Sequence, residues 1–174
     1  MRRTAIAAMA VAVVLFAAGL SAQGKPSFAG KWTQDAPAGG AAAGGGGGGG
    51  GRGGGRGGGG GFCAPSCDIT QDANTLTVTR PGMGGGDPIK TVYKLDGSES
   101  KNTMNMGGNS VESSSKATWD GNKLKIVTTT NFNGTARETT NVLSMDGAKL
   151  SVATTAPGRQ GGDPTTTTTT YTKG

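Results

Sequence analysis

Few side chains in this sequence are able to do chemistry. The chain of 174 residues has no histidine, which removes the usual general base, the commonest metal ligand and every Ser–His or Cys–His nucleophile pair. Its eleven carboxylate side chains are scattered and stand mostly in turns, where Asp is a turn former. No pair is spaced to act on a glycosidic bond. The long glycine tract lacks the Gly-Lys-Ser/Thr ending of a phosphate loop and opens no helix. These absences predict a protein that is not an enzyme and carries no cofactor and no metal.

The only thiols are Cys63 and Cys67, in "FCAPSC". In an exported chain two close cysteines most simply form one disulfide. A redox pair normally has two intervening residues rather than three, and a zinc site would need two further ligands. What remains are large aromatics. Trp32, Tyr93 and Trp119 are the candidate contacts for a small ligand, although Trp32 would serve equally as a core residue of the first strand and Trp119, beside Asp120-Gly121, fits a hairpin-end core residue better.

The elements that must position these residues follow an N-terminal leader. Arg2 and Arg3, the apolar stretch Ala5 to Leu20 and the small residues Leu20-Ser21-Ala22 read as a signal peptide over residues 1–22. The stretch is short and Ala-rich compared with the ~20 apolar residues of a membrane-spanning helix. Export to the periplasm or the medium is expected, with no integral membrane span after cleavage. Losing the two leader arginines changes the formal charge of +6, seventeen basic against eleven acidic groups, to +4. The lysines are dispersed, and Arg52 and Arg56 of the glycine tract have no interleaved aromatics, so no nucleic-acid partner is expected.

Residues 23–37 hold a first strand. Ala38 to Gly61 is almost wholly Gly and Ala, with no apolar surface to offset the entropy of ordering, and is expected to be a flexible insert. Residues 62–174 form the rest of a single β domain. Asp96-Gly97, Asp120-Gly121, Asn133-Gly134 and Asp146-Gly147 are hairpin turn pairs. They separate ten extended runs: Phe28 to Gln34, Asp68 to Gln71, Thr75 to Arg80, Ile89 to Leu95, Ser100 to Met104, Val111 to Trp119, Lys123 to Asn131, Thr135 to Ser144, Lys149 to Thr155 and Thr165 to Thr172.

Side chains two apart share a face of a strand. The pattern therefore puts Leu76 with Val78, Ile89 with Tyr93 and Leu95, Val111 with Ala117 and Trp119, Leu124 with Ile126, and Leu150 with Val152 in the core. Along the same faces Ser113, Ser115, Thr128, Thr130 and Thr154 follow. Either the interior is roomy and partly polar there, or the strands emerge into solvent.

"DANTLTVTRPGMGGGDP" from Asp72 and "DGAKLSVATTAPGRQGGDP" from Asp146 share a turn, an apolar alternation and a loop ending in Asp-Pro. A hairpin used twice implies an all-β, antiparallel up-and-down meander of about 8–10 strands, with the two Asp-Pro loops at one end.

"FAGKW" resembles the Gly-x-Trp signature at the first strand of lipocalins and related calycin barrels. "YKLDGSES", "KATWDGNKLKI" and "LSMDGAKLSV" are similar to segments of small exported bacterial proteins of uncharacterised function with a lipocalin-like β domain. The resemblance implies an antiparallel barrel or strongly curved sheet around a cavity for a small, often apolar molecule. It would put Gly30 and Trp32 in the first-strand motif, with Trp32 closing the barrel floor. The later lipocalin motifs and a C-terminal helix are not visible. Two functions follow as expectations: binding of a small apolar or amphipathic molecule, or a structural, cell-envelope role in which the Gly/Arg insert and Thr-rich strands such as "TTTTTTYT" make weak surface contacts.

Overall fold

The computed structural model describes residues 24–36, 61–82, 85–106, 109–132, 134–158 and 162–174, without the side chains of residues 105, 106, 109 and 132. The expected signal peptide and the insert, Gly61 apart, lie outside these residues. Ten strands follow in order: β1 Gly30–Gln34, β2 Ser66–Gln71, β3 Thr75–Arg80, β4 Ile89–Lys94, β5 Glu99–Met106, β6 Asn109–Asp120, β7 Lys123–Phe132, β8 Thr135–Asp146, β9 Lys149–Ala156 and β10 Thr165–Lys173. Each expected strand is present, and the differences lie at the ends.

Local chemistry explains the turns. Gly121 and Gly147, at the hairpins β6–β7 and β8–β9, both have φ of 59°, a left-handed conformation that a β-branched residue resists. Between β2 and β3 the Asp72 carboxylate replaces the missing backbone partners. It accepts the N–H of Asn74 and of Thr75, each at 2.7 Å, and the Thr75 hydroxyl at 2.8 Å. These bonds, that from the Asn74 N–H first, hold its carboxyl below the usual carboxylate range.

All neighbouring strands are antiparallel and form one sheet in the order β4-β3-β2-β1-β10-β9-β8-β7-β6-β5. The sheet curls until its two outermost strands meet, giving a nearly closed barrel. Its two ends differ. The floor carries the tight turns after β2, β4, β6 and β8. The mouth carries the other connections, two residues long between β5 and β6 and between β7 and β8 and longer elsewhere, and the two Asp-Pro loops both lie there, as the repeat predicts. In these loops Gly82 lies against the carbonyls of Gly86 and Asp87, and Gly158 against those of Gly162 and Asp163. A side chain at either position would collide with backbone.

β1 and β2 pair directly, with Thr33 opposite Ser66, and the Gln34 N–H donates to the Pro65 carbonyl at 2.9 Å. The strands on either side of the insert are thus held together at the point where it leaves and returns.

The inward faces divide by height. Toward the floor they hold Trp32, Ile69, Leu76, Val78, Leu124, Ile126, Leu143, Leu150, Val152 and Tyr171, each no more than 1% exposed. Burying one aliphatic side chain of this kind contributes roughly 1.5–3 kcal/mol, so this layer holds the barrel together. Two segments outside the ladder complete it. Phe28 fills the floor from below, fully buried and stacked on Trp119 with ring centroids 5.9 Å apart. Phe62 and Cys63 enter from the end of the insert, Phe62 stacked on Tyr93 at 6.0 Å.

Toward the mouth the same faces turn polar. Ser113 and Ser115 are 7% and 2% exposed and Asn141 is 9%, while Thr128, Thr130 and Thr154 are half-buried. The serines therefore belong to a polar interior and not to strand ends emerging into solvent. Their groups are paired: Ser115 and Thr128 share a hydrogen bond of 2.9 Å, and Thr154 donates to Asn141 at 2.7 Å.

Candidate functional site

The three expected ligand contacts do not meet at one place. Trp32 is 1% exposed, and its indole N–H donates to the Phe28 carbonyl at 2.8 Å. The Lys173 ammonium lies over its ring, 5.8 Å from the centroid. Trp119 joins it at the floor through the Phe28 stack, with the Lys25 ammonium 5.3 Å from its ring centre. Its Nε1 is buried without a hydrogen-bond partner among the described residues. Tyr93 stands apart on β4, 7% exposed and stacked on Phe62.

The "SFAGKW" segment is the reason two tryptophans gather at the floor. β1 begins at Gly30 instead of Phe28, because Gly30 takes φ of 147° and turns the chain beneath the barrel. The Gln71 side chain then clamps this segment, its Oε1 accepting the Phe28 N–H at 2.8 Å and its Nε2 donating to the Pro26 carbonyl at 3.2 Å. A Cβ at Gly30 would also meet the Lys173 side chain.

Cys63 and Cys67 form the expected disulfide. It folds the chain so that Cys63, fully buried, donates its N–H to the Tyr171 hydroxyl at 3.3 Å. Burial pushes the Tyr171 phenol upward against the opposing effects of that N–H, of Thr169 and of the Arg80 charge. Phe62 and Tyr171 were not legible as core from composition. Phe62 stands beside a glycine tract, and Tyr171 ends a run of threonines.

The most distinctive geometry lies where the sheet meets itself. β4 and β5 are its two edges, and side chains of β5 close the gap. Asn102 accepts the Val92 N–H on its Oδ1 at 2.8 Å and donates its Nδ2 to the Val92 carbonyl at 3.0 Å. Ser100 Oγ accepts the Lys94 N–H at 2.8 Å. An amide side chain carries one acceptor and one donor group, as a peptide unit does, so Asn102 imitates a missing rung of the ladder.

An open depression of about 400 Å³ lies over this seam, lined by Val92, Lys94, Glu99, Ser100 and Lys101. A smaller one, about 170 Å³, lies on the outer face of β5 to β8 between Glu99, Lys116, Thr129 and Glu138. Behind the seam, inside the barrel, Arg80 donates to Met104 Sδ at 3.7 Å. Tyr93 is the nearest phenol on β4. Burial pushes it up to about 12, with the Arg80 charge acting the other way.

The ion pair on the outside of the barrel is of another kind. Asp35 meets Lys149 at 2.8 Å and accepts the Thr172 hydroxyl at 2.6 Å. The Lys149 hydrogen bond, followed by that of Thr172, holds its carboxyl at about 2. This pair ties β1 to β9 across β10.

No protein-family model matches the chain, and no curated protein matches it. Among solved structures, secretory abundant heat soluble protein 4 from Ramazzottius varieornatus is similar over 62% of this chain and 67% of its own, with 21% sequence identity and a TM-score of 0.44.

Proposed function

We propose that this is an exported, non-enzymatic binding protein of lipocalin-like design that takes a small amphipathic molecule into the mouth half of its barrel. The observation that carries the reading is the division of the inner wall: the floor half is filled by its own side chains, and the mouth half is lined by hydroxyl and amide groups. Such a wall suits a molecule with a polar part better than a wholly apolar one. Tyr93, which stands opposite Leu76, belongs with Trp32 and Trp119 to the floor half. The intrachain disulfide is compatible with export, and no described helix is long and apolar enough to cross a membrane.

The test is extraction of protein purified under native conditions, with mass spectrometry of what is released. Amphipaths are then titrated back against tryptophan emission. A co-purifying amphipath that rebinds supports the reading; an empty extract with no response to any amphipath overturns it.

A second reading, a cell-envelope contact protein, is favoured by β10, where Thr165 to Thr168 are all exposed. A β-branched hydroxyl ladder of this kind makes stable sheet without a pocket. Deleting Ala38 to Gly61 separates the two. Lost surface retention with unchanged folding favours the contact role, and altered ligand exchange favours the binding role.

A further inference from the structure

An amphipath held in the barrel needs a polar anchor, and the wall behind the seam holds a buried hydroxyl without a partner beside a weakly partnered guanidinium. Arg80 faces inward from β3 and is half-buried. Its Nη2 donates to the Met104 thioether, a weak acceptor, and no carboxylate pairs with it among the described residues. Beside it on β4, Thr91 stands opposite Val78 while Arg80 stands opposite Ile89, which makes the two diagonal neighbours on one face. Thr91 is 7% exposed, and its Oγ1 is buried with no partner. Two residues on, Tyr93 stands on the same face of β4 and is 7% exposed. Buried polar groups are rarely left unpaired in native proteins, so the Thr91 hydroxyl calls for an explanation.

The charge of the wall selects the partner. Along the ten strands no described inward side chain is a carboxylate, whereas Arg80, Arg137 nearer the mouth and Lys173 at the floor are cations. A cationic ligand would be repelled, and a neutral one would leave the guanidinium without its counter-charge.

We propose that Arg80, Thr91 and Tyr93 form a site for an anionic oxygen group, a carboxylate, sulfate or phosphate. The assignment rests on the binding role above and specifies the head group of the molecule bound. Arg80 supplies the planar, permanently charged fork that such groups match. Thr91 and Tyr93 supply hydroxyl donors, and the burial that raises the phenol keeps Tyr93 protonated at neutral pH. The seam depression of about 400 Å³ lies on the outer side of β4, where it meets β5.

Calorimetric titration of the purified protein with dodecanoate, dodecanol and inorganic phosphate tests this, using wild type, Arg80→Gln, Arg80→Lys and Thr91→Val. Dodecanoate should bind wild type roughly tenfold or more tightly than dodecanol, the value of a charge-assisted pair. Arg80→Gln should abolish that preference, Arg80→Lys should keep part of it, and Thr91→Val should weaken dodecanoate severalfold. Phosphate that displaces dodecanoate identifies a free oxyanion as sufficient. Phosphate without effect, beside a retained carboxylate preference, assigns the site to an amphipath.

Equal binding of the acid and the alcohol by wild type, unchanged in Arg80→Gln, overturns the anion site and leaves the binding role standing. Binding of neither amphipath overturns the binding role itself. Circular dichroism checks that the variants fold. Should Arg80→Gln not fold, the Arg80 side-chain N–H resonance of wild type is followed during titration, and a resonance that bound dodecanoate leaves unmoved overturns the site.

Discussion

Replacing Asn102 by alanine is the most direct probe of how the barrel closes. The substitution removes two hydrogen bonds, of 2.8 and 3.0 Å, that join β5 to the Val92 backbone. Val92 and Asn102 are half-buried, so water can reach the freed groups and the full penalty of an orphaned buried pair does not apply. Each bond then contributes about 0.5–1.5 kcal/mol, and the pair about 1–3 kcal/mol. Hydrogen exchange resolves this residue by residue, because an amide exchanges through local opening. The Val92 amide should exchange about 5- to 150-fold faster in Asn102→Ala, since each 1.4 kcal/mol is tenfold. The Lys94 amide, bonded to Ser100 Oγ, should follow to a smaller degree, and Ile126 in mid-sheet should not respond. Asn102→Asp separates the two bonds: a carboxylate still accepts the Val92 N–H but faces the carbonyl without a donor. Unchanged Val92 exchange in Asn102→Ala would show that the seam is held by something other than this side chain.

Three other outcomes are expected. Phe28→Ala should cost about 3–5 kcal/mol, the usual range for a buried phenylalanine, read as a lowered thermal midpoint; a variant as stable as wild type would remove Phe28 from the floor. The Asp35 carboxyl is depressed from 3.8 to about 2, so its stabilising effect is complete above its unfolded value and lost as pH falls through the folded one. Asp35→Asn should therefore flatten the stability profile between about pH 4 and pH 2, and an unchanged acid limb would contradict the pairing. Reducing the Cys63–Cys67 bridge opens a loop with a sequence separation of 4. Chain entropy assigns so small a loop about 2 kcal/mol, to be read by denaturant unfolding with and without reductant, and a loss several times larger would mean that the bridge also holds Phe62 in place.

The legible parts of this fold are the local ones. Asp120-Gly121 and Asp146-Gly147 announced their hairpins because the backbone there must take positive φ, and alternation such as Leu124 with Ile126 assigned the faces because it is a property of a single strand. Ser113 and Ser115 were ambiguous for the same reason, since a strand does not reveal whether its neighbours extend as far. Asn102 carried no signal. It sits in "ESKNTMNM", which has little apolar alternation, and its role exists only once β5 has come round to β4. Arg80 likewise reads as a charged strand end until the barrel is closed around it. Trp32 and Trp119 were legible as buried aromatics, but their common dependence on Phe28 was not. It rests on a turn at Gly30 that local pattern presents as continuous strand.

The pairing of Thr33 with Ser66, and the Gln34–Pro65 hydrogen bond beyond it, mean that the stem of the β1–β2 hairpin is complete before the glycine tract begins. Lengthening a loop whose ends are already joined costs only about 0.6 kcal/mol for each doubling. The barrel is therefore a natural splice acceptor. A peptide epitope, or a small domain whose own termini lie close together, can take the place of Ala38 to Gly60 while the register of all ten strands is preserved.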